Sequence, residues 1–99
     1  MLLAVLFFHF AEPIQPIIDQ PATQQMEMLD LAKTAMAEKR WADAHELLNK
    51  AKKLDKKNPE VYLLLGDLQA ALNKPSMAKS YYKKAEKLGV NIDAYLAKL

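Results

Sequence analysis

The chain has 99 residues, no cysteine and a formal net charge of +2. This length allows one small domain, the absence of cysteine excludes disulfides and thiolate metal sites, and the mild charge gives no argument for nucleic-acid binding. Hydrophobic residues make up 52% of the chain and charged residues 26%. Because this is a soluble globular balance with many helix-forming Ala, Leu and Lys residues, we predict an all-α fold.

The first predicted element is an apolar segment, residues 1–11, which reads MLLAVLFFHFA and is polar only at His9. It is too short to cross a bilayer as a helix and is typical of a signal-peptide core or a buried helix. No Lys or Arg precedes it, and His9 with Ala11 makes a poor cleavage site. Three interpretations stay open: a targeting or membrane-anchoring peptide, a short helix docked on its own domain or a neighbour, and a start-site artefact. The first favours a membrane-associated or exported location, such as a bacterial periplasm, over the cytoplasm.

A proline-rich connector is predicted over residues 12–22. Pro13, Pro16 and Pro21 each fix φ and bias the preceding residue away from helix. We therefore expect an extended and fairly stiff linker between the apolar segment and the rest of the chain.

From Gln25 onward the sequence repeats with an offset of 34 residues. The coincidences include Leu29 with Leu63, Leu31 with Leu65, Ala37 with Ala71, Ala44 with Ala78, Lys50 with Lys84, Ala51 with Ala85 and Leu54 with Leu88. Each unit is predicted to hold two helices: residues 23–38 and 41–54 in the first unit (23–58), and residues 59–72 and 75–88 in the second (59–92). Residues 93–99 are predicted to form a short capping helix.

The ends of these helices carry recognisable signals. Asn58 is predicted to cap the helix that Pro59 opens, and Pro75 is predicted to take the same first-turn position. Gly89 is expected to close the fourth helix in a left-handed conformation. Asn91 is expected to cap the last helix.

Small residues occupy regular positions within the predicted helices. Two helices joined by a short turn must cross closely, and only Gly or Ala leaves room for the facing helix. We expect close approach at Ala32 and Gly66 in the first helices, with Leu48 and Tyr82 filling the space beside the alanines of the second helices. Those alanines are Ala44, Ala51, Ala78 and Ala85.

These residues carry a resemblance to the tetratricopeptide repeat family. The second unit matches the family pattern at Tyr62, Leu65, Gly66, Ala78, Tyr82 and Ala85, and the first unit at Met28, Leu31, Ala32, Ala44, Leu48 and Ala51. The family's Asp-Pro after the second helix is replaced by Asp55-Lys56 and Gly89-Val90, and its turn glycine by Lys39 and Asn73. The resemblance covers about residues 25–92. It implies a right-handed superhelical stack of antiparallel helix pairs that acts as a non-enzymatic protein interaction module.

The resemblance also implies a partner-binding concave face, lined by the first helix of each unit. Its residues would be Met26, Leu29, Asp30, Lys33, Met36, Glu60, Leu63, Leu64 and Asp67. Methionine and leucine beside a few charges suit an amphipathic helix or an extended apolar peptide. Two alternatives stay open: the chain's own amino-terminal segment covers this face, or the protein is a structural subunit or homo-oligomer whose apolar segment packs into a neighbouring chain.

One known subclass of the family is disfavoured. Cochaperones that hold a terminal carboxylate use Lys, Asn and Arg at places that are occupied here by Leu29, Lys33, Leu64, Ala94 and Lys98. Only two of these five carry a positive charge, so a chaperone-tail receptor is not expected.

No other group of residues in the sequence indicates a metal-binding, catalytic or cofactor site. His45 has no second histidine at ligand spacing, so no metal site is expected. No Ser-His-Asp set, phosphate-binding glycine loop or facing carboxylate pair can be assembled, so we predict no catalytic residues and no cofactor. The lysine-rich stretch NKAKKLDKKN (49–58) lacks interleaved aromatics and is explained by the preference of helix ends for cations.

Overall fold

The computed structural model of the protein describes residues 20–99. The predictions for residues 1–11 and for most of the connector lie outside this range. Along residues 20–99 five helices and no strands are present. The helices are α1 (Pro21–Ala37), α2 (Trp41–Leu54), α3 (Pro59–Ala71), α4 (Pro75–Lys87) and α5 (Asp93–Leu96). The predicted all-α fold is confirmed, and the bounds of the first four helices agree with the sequence to within two residues.

The helix starts follow the predicted chemistry. Asn58 Oδ1 accepts a hydrogen bond of 3.0 Å from the Glu60 N–H, with Pro59 in the first turn. Asn91 Oδ1 accepts one of 2.9 Å from the Asp93 N–H at the start of α5. The connector was predicted to reach residue 22, but Pro21 already opens α1 because a first-turn proline gives up no helical hydrogen bond.

Both helical hairpins turn in the same way. Lys39 and Asn73 have positive φ values of 61° and 60°. In each turn the N–H of the next residue donates a hydrogen bond to the carbonyl oxygen of a buried helical residue. These bonds run from Arg40 N–H to Ala35 O at 2.8 Å and from Lys74 N–H to Gln69 O at 2.9 Å. The left-handed turn is therefore kept although neither residue is the glycine of the family pattern. Gly89 also has the predicted positive φ, 103°.

The helices pack as successive antiparallel neighbours. α1 packs along α2 and α3 along α4, while α2 joins the two hairpins by contacting α3. α1 also touches α3, and α5 touches α4, where the Tyr82 and Tyr95 ring centroids lie 5.2 Å apart. Because each hairpin reverses the chain, α1 and α3 run in the same direction.

A single apolar core runs between the helices. Its fully buried members include every small residue that was predicted to allow close approach, together with the large side chains Leu48 and Tyr82. The small residues are Ala32, Ala44, Ala51, Gly66, Ala78 and Ala85. A Cβ placed on Gly66 would overlap the Cε1 and Cδ1 atoms of the Tyr82 ring. The predicted close approach at Gly66 is confirmed, and the ring of Tyr82 is what requires it.

The two units differ at the outer edge of α1. Leu65 of α3 is completely buried, whereas its equivalent Leu31 of α1 is 56% exposed. α2 lies against α3, but no described helix covers the corresponding side of α1. The two units therefore carry leucine at the same position but bury it to different extents.

Candidate functional site

The exposed sides of α1 and α3 form one continuous surface, which we call the α1/α3 face. It consists of Met26, Asp30, Lys33, Met36, Glu60, Leu63 and Asp67, all exposed or half-buried. Lys33 of α1 and Glu60 of α3 link the two helices through an ion pair of 2.7 Å between Nζ and Oε1. The seven residues belong to the partner-binding set that the sequence predicts.

Two members of that predicted set do not lie on the face. Leu29 is 2% exposed and Leu64 is 9% exposed, and both belong to the apolar core. Leu29 continues the inward stripe of Gln25 and Ala32 along α1. These two leucines therefore lie beneath the face and not on its surface.

Three apolar side chains of the face, Met26, Met36 and Leu63, form what we call the apolar strip, and the ion pair lies between Met26 and the other two. Met36 follows Lys33 by one turn of α1, and Leu63 follows Glu60 by one turn of α3. Because the two helices are parallel, Met36 and Leu63 lie at the same level of the face. Both are half-buried against the core, and Met26 at the other end of α1 is 64% exposed. The strip thus offers apolar surface that this part of the chain does not cover.

The charges around the strip are mostly negative. Asp30, Glu60 and Asp67 contribute three carboxylates against the single ammonium group of Lys33. The hydrogen bond from Lys33 to Glu60 raises the pKa of the Lys33 amine, and the charges of Glu60 and Asp30 add to this effect. The ammonium group is therefore held in its charged form between the two helices, where Glu60 at 2.7 Å and Asp30 at 4.0 Å share its one positive charge.

A hydrogen bond from a core residue holds the Asp67 side chain in place. The Tyr82 hydroxyl donates a hydrogen bond of 2.6 Å to Asp67 Oδ1. Burial raises the pKa of Tyr82 above its ordinary value, and the bond to Asp67 raises it further. A neutral hydroxyl thus holds one carboxylate oxygen in a defined position at the edge of the face.

A buried glutamine joins the parts of the stack that support the face. Gln25 Nε2 donates to the carbonyl oxygens of Ala51 and Asp55 at 2.9 and 3.0 Å, and Gln25 Oε1 accepts from Asn58 Nδ2 at 2.8 Å. One side chain of α1 therefore ties the end of α2 to the cap of α3. Sequence reasoning missed this role, although Gln25 stands one turn before Leu29 on the buried stripe.

The described part of the chain carries neither a metal-binding cluster nor a membrane span. No group of three His, Cys, Asp or Glu side chains within residues 20–99 is arranged to hold a metal ion. His45 is exposed and shares a contact of 3.3 Å with Asn49. Over the same residues, no helix combines the length and the hydropathy that a membrane span needs.

Comparison with known proteins identifies one family. The family model described as tetratricopeptide repeat matches residues 29–99. No curated protein and no solved structure matches the chain significantly. The match covers both helical hairpins from Leu29 onward together with α5.

Proposed function

Because the chain belongs to the tetratricopeptide repeat family, whose members generally mediate protein–protein interaction, we propose that it binds a segment of a protein partner on the α1/α3 face. The observation that carries this proposal is the strip of Met36, Leu63 and Met26, which leaves apolar side chains open to solvent between charged groups. Members of this family are typically not enzymes, and we propose the same for this chain.

The chemistry of the face favours an amphipathic helix or an extended apolar peptide. Methionine side chains adapt to irregular apolar surfaces, and an amphipathic helix presents its apolar anchors on one side. Three carboxylates against one ammonium group favour a partner that places Lys or Arg beside its apolar residues. We therefore propose a basic amphipathic segment as the ligand.

Selection from a library of helical peptides with randomised flanking charges tests this proposal. The full chain should enrich peptides that combine an apolar stripe with Lys or Arg. Leu63→Glu should abolish their binding, because it places a charge in the centre of the apolar strip. Met26→Glu should weaken it, and this variant is expected to fold because Met26 is exposed.

Ser80→Glu is the matched control, since Ser80 is exposed on α4 and does not belong to the face. It should leave the affinity unchanged. Failure to enrich any such peptide, or equal loss of binding in Ser80→Glu and Met26→Glu, would contradict binding on the α1/α3 face.

A second candidate function rests on the exposed Leu31. Its equivalent Leu65 is completely buried in α3, against which α2 packs. We propose that a helix from a neighbouring chain packs against α1 in the same way and covers Leu31. In this candidate function the protein is a structural subunit, and residues 1–11 provide the packing segment. Light scattering on the full chain and on a chain starting at Gln20 tests it: an oligomer that is lost on shortening supports the subunit, and a monomer in both cases rejects it.

Membrane tethering through residues 1–11 is a separate proposal that rests on their apolar sequence. Co-sedimentation with lipid vesicles tests it. Sedimentation of the full chain, but not of the chain starting at Gln20, supports tethering, whereas equal behaviour of the two rejects it.

A further inference from the structure

A lysine-lined cleft lies on a different part of the molecule from the α1/α3 face. It has a volume of about 270 Å³ and is lined by Lys56, Tyr62, Lys84, Lys87 and Leu88. Lys56 belongs to the loop between α2 and α3, whereas Lys84 and Lys87 stand in the last turn of α4. The fold therefore brings together cations from two segments that are distant in sequence.

One aromatic side chain, Tyr62, lines the cleft. The Tyr62 hydroxyl already has a hydrogen-bond partner, since it donates a hydrogen bond of 2.9 Å to the carbonyl oxygen of Lys56. Lys84 Nζ lies 5.9 Å from the ring centroid of Tyr62 and 5.6 Å from that of Tyr81. These contacts hold the Lys84 ammonium group close to the rings at the edge of the cleft. With Leu88 beside Tyr62, the cleft offers apolar surface among its positive charges.

No carboxylate lines the cleft. The ion pairs found along residues 20–99 involve Lys33, Arg40 and Lys50, and none of them involves a lysine of the cleft. Two acids are adjacent in sequence to lysines of the cleft, Asp55 beside Lys56 and Glu86 beside Lys87, and neither lines the cleft. Asp55 Oδ1 accepts a hydrogen bond of 2.9 Å from the Lys57 N–H. The lysines of the cleft therefore lack a carboxylate partner in this part of the chain.

The partial negative charges at the helix ends offset only part of the positive charge of the cleft lysines. The carboxyl ends of α2 and α4 each contribute a partial charge of about −0.5, together about −1. Three ammonium groups line the cleft, so the helix ends offset about one of these three charges. Next to the cleft in sequence, Lys52 and Lys53 add two cations, and Asp55 and Glu86 add two carboxylates. The preference of helix ends for cations therefore does not account for the whole cluster.

We propose that this cleft binds an acidic segment of a protein partner, in which carboxylates flank one apolar or aromatic side chain. The carboxylates would pair with Lys56, Lys84 and Lys87, and the apolar side chain would lie against Tyr62 and Leu88. Polar lipid headgroups would meet the lysines but would leave the apolar surface of Tyr62 and Leu88 without an apolar contact. This second surface adds to the α1/α3 face, which is itself mostly acidic.

Fluorescence anisotropy on the full chain tests the proposal. The probe is a labelled peptide with blocked ends, in which one phenylalanine has two glutamates on each side. A peptide with glutamine in place of glutamate tests the charges, and one with serine in place of phenylalanine tests the apolar surface of Tyr62 and Leu88. Both replacements should weaken binding.

Two double variants form a matched pair. Lys84→Gln with Lys87→Gln removes two charges from the cleft, and Lys74→Gln with Lys79→Gln removes two charges from the N-cap and the first half of α4. The first pair should weaken binding at least about tenfold and the second less than about twofold. All four lysines are exposed, and circular dichroism checks that both variants keep their helix content.

Several results would overturn the proposal. These are no binding of the glutamate peptide, equal weakening by the two double variants, and no effect of replacing the phenylalanine. Binding to vesicles of phosphatidylserine and phosphatidylcholine without binding to the peptide would also overturn it and would assign the lysines to an anionic lipid surface. Displacement of the peptide by equimolar inorganic phosphate would assign the cleft to phosphate groups instead.

Discussion

The Tyr82 hydroxyl of α4 and the Asp67 carboxylate of α3 lie 2.6 Å apart in a hydrogen bond. Tyr82 is completely buried in the core, whereas Asp67 is half-buried at the edge of the α1/α3 face. The same tyrosine ring fills the space beside Gly66. One side chain therefore sets the distance between α3 and α4 and also fixes a charge on the proposed binding surface.

Replacing Tyr82 with Phe should destabilise the protein by about 1.5–3 kcal/mol, because a hydrogen bond to a charged group is lost. Urea unfolding followed by circular dichroism measures this change. Tyr81→Phe, at a half-buried position, is the control and should change the free energy of unfolding by less than about 0.5 kcal/mol. Equal stability of the Tyr82→Phe variant and the unchanged protein would contradict the role of this bond.

We predict that the protein loses stability at high pH because of Tyr82. Burial and the bond to Asp67 raise the pKa of Tyr82 above its ordinary value of 10.0. Because the pKa is higher in the folded state, this contribution to stability is complete below about pH 10 and declines as the pH rises further. Above about pH 10, the free energy of unfolding should fall more steeply than in Tyr82→Phe, by up to about 1.4 kcal/mol per pH unit. Parallel curves for the two proteins would contradict the raised pKa.

Gly66→Leu should destabilise the protein by about 1–3 kcal/mol or more, because any side chain at this position overlaps the Tyr82 ring. The helix propensity gained on removing glycine, about 1 kcal/mol at most, acts in the opposite direction. Ala71→Leu, at an exposed position at the end of the same helix, is the control and should have little effect. An unchanged melting midpoint for Gly66→Leu would show that the crossing is not tight.

Two buried glutamines should respond oppositely to replacement by methionine. Gln25 makes three hydrogen bonds, so Gln25→Met should cost about 1–3 kcal/mol through the polar groups left unpaired. Gln69 Oε1 is buried without a hydrogen-bond partner among the described residues. Gln69→Met should therefore be neutral or stabilising. Urea unfolding of the two variants measures the contrast, and a reversed order would contradict the hydrogen-bond assignment.

Lys39→Gly should leave stability unchanged or raise it by up to about 1 kcal/mol, because glycine adopts the left-handed conformation of residue 39 without steric cost. Lys79→Gly places the same change inside α4, where glycine should cost about 1 kcal/mol. Thermal unfolding compares the two variants. Destabilisation by Lys39→Gly as large as that by Lys79→Gly would contradict the role of residue 39 in the turn.

The helices and their crossing could be predicted because they depend on local signals. Asn58, Pro59 and Gly89 mark helix ends through chemistry that acts within a few residues. Gly66 and Tyr82 fall at corresponding places in a two-helix unit, so the sequence pattern alone indicates that they meet. The repeat offset then extends this interpretation to both hairpins.

The limits of the proposed face could not be predicted in the same way. Whether Leu29 and Leu64 point outward depends on how far the neighbouring helices wrap around α1 and α3, and a residue pattern does not contain that angle. Leu31 and Leu65 occupy equivalent positions in the sequence but differ in burial, and α3 has a preceding described helix packed against it whereas α1 has none. The lysine cleft was missed because Lys56 and Lys84 become neighbours only in the folded chain.

A chemical-shift map measures most directly whether a partner segment binds the α1/α3 face. A peptide selected on the full chain, with an apolar stripe and flanking Lys or Arg, is added to the labelled protein, and the amide signals are followed by NMR. We predict that the largest amide chemical-shift changes cluster at Met26, Lys33, Met36, Leu63 and Asp67 and that they disappear in Leu63→Glu. Shifts concentrated on the outer surfaces of α2 and α4, or a map that Leu63→Glu leaves unchanged, would contradict it.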